Sequence, residues 1–121
     1  MATPNLINVD TITPVVNVGA VTTSRATIVD VTDEYCAKIN SLIIANIDGT
    51  NAADITVEVS VDNGSNYVKI ANTISVPADS SLSLIGKDNG FYLDETDLLA
   101  VTASANSDLT YLVSYEEMKD A

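Results

Sequence analysis

Histidine and tryptophan are absent from this 121-residue chain, and cysteine occurs once, at Cys36. Cationic side chains are few. Arg25, Lys38, Lys69, Lys87 and Lys119 stand far apart against 17 acids, for a net charge of −12. Each shortage excludes a class of function. Zinc and other transition metals would lack the nitrogen and sulfur ligands they need. Cys36 has no histidine to activate it as a nucleophile and no second thiol with which to close an intramolecular disulfide. It reads as a small buried apolar side chain on a strand, and the fold requires no oxidising compartment. Nucleic-acid binding draws its affinity from clustered Lys and Arg that release counterions. No such cluster exists, so no nucleic-acid partner is expected. No apolar run approaches the ~20 residues of a membrane span, so no membrane partner is expected either. The start MATPNLINVD lacks the basic and apolar regions of a signal peptide.

The acids are scattered singly over turns and strand faces. LDETD gathers Asp94, Glu95 and Asp97, but in a loop without an aromatic platform. General acid–base chemistry needs carboxylates converging in a cleft with shifted proton affinities. Asp48, Asp62, Asp88, Asp94 and Asp97 fall on turns, where oxygen ligands for calcium can collect. No segment carries the spaced Asp/Asn-Gly-Glu pattern of a calcium loop, and turn geometry accounts for each of these residues. The five glycines stand singly, so no phosphate-cradling loop exists. Tyr92, Tyr111 and Tyr115 read as covering a core edge or an interface, with a sugar-binding patch as the alternative. The expectation is a non-enzymatic protein that uses no cofactor.

What fills the chain is Val, Ile, Thr, Ala, Asn and Ser in short alternating runs broken by Asp-Gly and Asn-Gly. At 12.7 kDa this suits one core without metal or disulfide staples. β-Branched residues favour strands. Ile55–Val61 alternates most clearly, with Ile55, Val57, Val59 and Val61 directed inward. Asn63-Gly64 then fits a hairpin turn leading into residues 66–76, where Asn72 interrupts the apolar stripe and predicts a bulge near Ala71–Thr73. Further strands are expected over residues 25–31, with Ala26, Ile28 and Asp30 on one side, and over 37–47, covered on both faces. Short strands follow at 82–85 and around Tyr92 and Leu93. Residues 98–105 and 109–115 are expected to close the domain as a pair, followed by a polar tail. Seven to eight strands with hairpin connections predict an all-β fold: an antiparallel two-sheet β-sandwich or jelly-roll-like domain.

Residues 1–24 stand apart. They carry one charge, Asp10, with Pro4 and Pro14 among Val, Ile and Thr. Proline lacks the N–H that a central strand must donate, which confines such a segment to a sheet edge or a strand start. An extended N-terminal arm over 1–24 and a β-sandwich domain over 25–121 are therefore expected. The arm either packs along its own domain or completes a neighbour's sheet. Pro4, Leu6, Ile7, Val9, Ile12, Val15, Val16 and Val18 are its candidate interface residues.

From about Thr22 to Glu117 the chain resembles a loose group of small structural proteins of tailed bacteriophages, of the marine and cyanophage type. The resemblance is carried by TTSRATIVDV, KINSLIIANIDGTNAADITVEV, YVKIANTISVPADSSLSLI and LLAVTASANSDLTYLVSYEE. It departs at VTDEY, where a glycine-containing turn is expected. It implies a virion component made in the host cytoplasm. The leading expectation is a capsid decoration (cement) protein on the capsid surface, whose partners are the major capsid protein or other virion proteins. A homo-oligomer is implied, with a trimer by analogy. A neck, tail or fibre-attachment protein is the alternative, and a carbohydrate-binding adhesin-like module the more distant one.

Overall fold

Alternation of apolar and polar side chains places the strands, and backbone pairing decides their neighbours. The computed structural model describes residues 5–121. Its strands are β1 (Val9–Val21), β2 (Ala26–Asp30), β3 (Tyr35–Asn46), β4 (Ala53–Ser60), β5 (Val68–Val76), β6 (Ser81–Ile85), β7 (Phe91–Leu93), β8 (Leu98–Ala103) and β9 (Leu109–Asp120). A five-stranded sheet has the order β1-β9-β3-β6, with β7 also pairing to β3, and a four-stranded sheet has the order β2-β8-β4-β5. All pairings are antiparallel. This is the expected all-β fold, an antiparallel two-sheet sandwich. The described residues form nine strands, one more than the seven to eight expected, and the shortest is the three-residue β7.

The core lies between the sheets. Ile39, Leu42, Ile44, Leu109 and Val113 project from one sheet onto Val29, Ile55, Val57, Leu99 and Val101 of the other, all fully buried or nearly so. Buried polar groups are satisfied locally. Asn46 Nδ2 donates to the carbonyls of Asn51 and Val76 at 3.0 and 2.9 Å. Asn17 Nδ2 on β1 donates to the Ile28 carbonyl at 3.1 Å, fastening the two sheets where their edges meet. Cys36 is a free, buried thiol, and burial together with nearby Asp94 raises its pKa.

Local turn chemistry follows expectation. Asn63 and Gly64 take φ of 57° and 90°, the left-handed values that Asn-Gly accepts at low cost. The β5 bulge is present: the register slips between Ile55↔Ile74 and Val57↔Ala71, and Thr73 adopts φ 48°. Its N–H donates to Thr56 Oγ1 at 3.1 Å, replacing the lost ladder bond.

Four expectations are corrected. Residues 98–105 and 109–115 do not pair, because β8 lies between β2 and β4 while β9 lies between β1 and β3. A period of two identifies a buried face, and a strand keeps that face whichever sheet it joins. The polar tail is strand: β9 runs to Asp120, with Glu116 paired to Pro14 on one side and Lys38 on the other. Polar side chains suffice there because their face meets solvent. In β3 the register slips between Ile39 and Ser41. That bulge turns Ile39, Leu42 and Ile44 inward together and leaves Ile43 and, past the strand end, Ile47 exposed, so β3 is not covered on both faces. A similar slip between Thr27 and Val29 buries both Ile28 and Val29 and leaves Asp30 exposed.

Candidate interaction surfaces

The outer face of the five-stranded sheet assembles from three strands. Along β1, Val15, Asn17, Gly19 and Val21 turn inward, while Ile12, Val16 and Val18 stand exposed on the other side. Register places Val18 beside Leu112 and Leu112 beside Ile43. The next row is Ala20, Thr110 and Ala45, and Val16, Ser114 and Ser41 form the row on the other side. The result is a shallow depression of about 430 Å³ lined by Val18, Gly19, Ile43, Ala45, Thr110, Tyr111 and Leu112. None of these side chains is charged, on a protein of net charge −12. An apolar face without charges can be desolvated cheaply, which is the property of an interface centre. Charge begins further along the strands, with Glu116 beside Lys38; Glu116 accepts a hydrogen bond from Asn40 Nδ2 at 3.2 Å.

The structure places the candidate arm residues as follows. Pro4 lies outside the described residues. Leu6 and Ile7 precede β1 and are exposed. Asn5 closes a turn beneath them: its carbonyl accepts from Asn8 N–H at 2.9 Å and its Oδ1 from Ile7 N–H at 3.0 Å. Val9 is half-buried, and Val15 packs against the core. Ile12, Val16 and Val18 face outward as one row. Among the described residues, β1 pairs along β9 and has no strand on its other edge. Long edge strands invite pairing with another chain. Sequence reasoning missed Leu112, Ile43 and Ala45, which complete the surface. The signal for them is the polar–apolar alternation of residues 109–115 read from its opposite face.

The outer face of the four-stranded sheet is polar. Arg25 Nε and Nη2 donate to Glu58 Oε1 and Oε2, each at 3.0 Å. The guanidinium lies 3.9 Å from the centroid of the Tyr67 ring. Thr56, Asn72, Thr73, Thr102 and Lys69 surround this pair. Both oxygens of its carboxylate are engaged by the guanidinium.

The turn carboxylates are engaged by their own loops. Asp62 accepts from Asn66 Nδ2, Asn66 N–H and Ser60 Oγ at 2.8, 2.9 and 2.9 Å, and these bonds hold its pKa below the ordinary value. Asp48 is lowered in the same way by the N–H groups of Thr50 and Asn51. Burial raises Asp97, which accepts from Asp94 N–H, and burial followed by repulsion from Asp48 raises Asp108. In LDETD, Asp94 Oδ1 accepts from Glu95 N–H and Glu95 Oε2 from Glu34 N–H. Among the described residues no group of three or more acids or thiols is arranged to hold a metal ion.

These shifts set a pH dependence. A carboxylate with a depressed folded pKa stabilises the fold above the unfolded value, near 3.8, and that contribution is lost as pH falls through the folded value. The Asp62→Asn variant should therefore lose less stability than the parent between pH 5 and pH 2, as read by urea unfolding at each pH. Equal losses would remove Asp62 as an acid-sensitive group.

No protein-family model matches the chain, and no curated protein matches it. Among solved structures, a protein of the Bacillus endospore appendages, which form a family of disulfide-linked pili, is similar at 15% identity and a TM-score of 0.55, covering 92% of this chain and 88% of that one. A pentameric capsid protein isolated from metagenomic phage sequences aligns at 17% identity and a TM-score of 0.38, over 95% of this chain and 67% of that one. The Drosophila NLP core, whose structure concerns pentamer formation and histone binding, aligns at 16% identity and 0.46, over 84% and 96%. The last two superpose too loosely to bear on the fold; the first supports the sandwich.

Proposed function

We propose that the protein is a non-enzymatic structural component of a tailed-bacteriophage virion, a decoration (cement) protein that binds the capsid surface. The observation that carries this reading is the uncharged outer face built from β1, β9 and β3 on an otherwise acidic chain. Residues 1–24 act as the attachment arm through their exposed side, Ile12, Val16 and Val18, while their inward side stays with the 25–121 domain. A strand of the major capsid protein adds to the free edge of β1. Main-chain hydrogen bonds supply affinity, and apolar burial adds about 25 cal/mol per Å². The acidic remainder faces solvent and keeps the particle surface from aggregating. Small oligomers, a trimer in this reading, multiply the contact by avidity.

Two measurements test it. Quantitative mass spectrometry of purified particles should give a ratio to the major capsid protein near one, or a simple fraction of it. A handful of copies would move the protein to the neck, tail or a fibre, and absence would overturn the virion reading. The double variant Val18→Lys, Leu112→Lys should keep the parent melting temperature, since both side chains lie on the outer face. It should bind capsids about a hundredfold more weakly, because two ammonium groups resist desolvation. Unchanged binding would remove this face from the contact.

A further inference from the structure

Edge strands are guarded against foreign pairing by shortness, bulges, proline or charge. Among the described residues, β2, β5, β6 and β7 are guarded throughout. β2 and β6 have five residues and a register slip each, β7 has three residues, and β5 carries Lys69 and two slips. β1 is guarded over one half only. Its first half holds Asp10, Pro14 and a register slip between Val9 and Thr11. Residues 15–21 pair with β9 without a slip and contain neither charge nor proline.

The ladder determines which backbone groups of that stretch are left over. Successive residues of a strand direct their N–H and C=O to alternate sides. Asn46 N–H donates to the Ser80 carbonyl ahead of β6, and Ile47 N–H to the Asp108 carbonyl ahead of β9, each at 2.8 Å. Ile43 and Ala45 share the parity of Ile47 and so bond to Leu112 and Thr110. Tyr111 and Val113, of the other parity, turn to β1 and bond to Gly19 and Asn17. The N–H and C=O of Val16, Val18 and Ala20 therefore point to the open edge. Pro14 shares their parity, so the N–H it lacks is one its own sheet does not use. At the other end Thr22 leaves the sheet, its carbonyl accepting from Ala103 N–H at 2.8 Å.

Given the virion reading, on which this rests, we infer that the capsid strand pairs with Val16, Val18 and Ala20 alone, and that Pro14 is the stop that fixes its register. Each of the three offers one donor and one acceptor, spaced about 7 Å apart, a pattern that an extended backbone matches. Toward Pro14 the ring and the missing N–H end the pairing, and toward Thr22 the chain departs. Outer-face side chains of the added strand continue the row of Val18, Leu112 and Ile43, so an apolar residue stands opposite Val18. A second copy could also present a strand, but it would bring two chains of net charge −12 side by side. That repulsion favours a foreign strand.

Val18→Pro removes one edge-directed N–H and spares the bonds of Asn17 and Gly19 to β9, so it should melt with the parent. It should bind capsids about tenfold to a hundredfold more weakly. Val18→Thr keeps the N–H and the β-branched shape and should bind as the parent does. Residue-resolved hydrogen exchange of the parent carries the test if Val18→Pro fails to fold. In the free protein the amides of Val16, Val18 and Ala20 should exchange fast and those of Asn17 and Gly19 slowly. On capsids the first three should become protected while Ile12, beyond Pro14, stays fast. A parent that binds capsids while Val18→Pro binds equally well, or protection that runs on to Ile12, would overturn the window and leave the virion reading standing. A parent that does not bind capsids would overturn both. Self-association of the parent that Val18→Pro abolishes would give the edge to a second copy and overturn the capsid strand as its occupant.

Discussion

Replacing Arg25 with Met should lower stability clearly more than Glu58→Gln, which should cost less than about 1 kcal/mol. The asymmetry follows from burial. Glu58 sits at an outward position of β4, yet it is 5% exposed because the Arg25 side chain, stacked on Tyr67, covers it. Removing the guanidinium strands a carboxylate that has lost its water and both of its charge-assisted bonds. Breaking a fully buried pair costs about 3–5 kcal/mol. The Arg25 side chain is 46% exposed, so water re-enters and the expected loss is smaller. Removing Glu58 instead frees an arginine that can turn to solvent. The double variant Arg25→Met, Glu58→Met should return close to the parent, since apolar replacements of such pairs are often neutral. Urea unfolding of the four proteins closes the cycle. A coupling below about 0.5 kcal/mol would show that the pair is a surface ornament.

A second large effect is expected at Gly90, where Gly90→Ala should cost about 3 kcal/mol or prevent folding. A Cβ at this position would stand 2.6 Å from the Ile39 carbonyl oxygen. That oxygen belongs to β3 in the middle of its sheet and cannot move without disturbing the ladder to β7 and β9. Two other glycines set the scale. Gly64→Ala meets only ordinary contacts but must hold φ at +90°, a strain of about 1–3 kcal/mol. Gly19→Ala approaches the ring of Tyr111 at 3.0 Å, and a half-buried ring can shift, so its cost should be smallest. Thermal unfolding of the three variants should rank them Gly90 first and Gly19 last. A Gly90→Ala protein that melts with the parent would mean that β7 is free to detach from β3.

How much of this molecule could be read from its residues varies with the kind of question. The bulge at Thr73 and the positive φ at Asn63 and Gly64 were legible because both arise from the residue types on the spot. The inward row of β4 was legible as far as Val59, which packs against the core. At Val61 it failed, because alternation places a side chain on a face but does not say whether another strand covers that face. The exposed row of β1 could be named from composition. Its continuation through Leu112 and Ile43 could not, since those residues become neighbours of Val18 only through the register of β9 with two partners.

By itself, the sequence determined the strand-forming composition, the turn positions, and the absence of the histidines, thiols and basic clusters on which metal sites, nucleophilic catalysis and nucleic-acid binding depend. Those properties reside in single residues or in neighbours along the chain. Only the tertiary structure decided that β8 and β9 enter opposite sheets, that Glu58 is buried under Arg25, and that one uncharged face spans three strands. Strand pairing is made by backbone groups common to every residue. Its outcome is therefore selected by the packing of the whole core and not by any local segment.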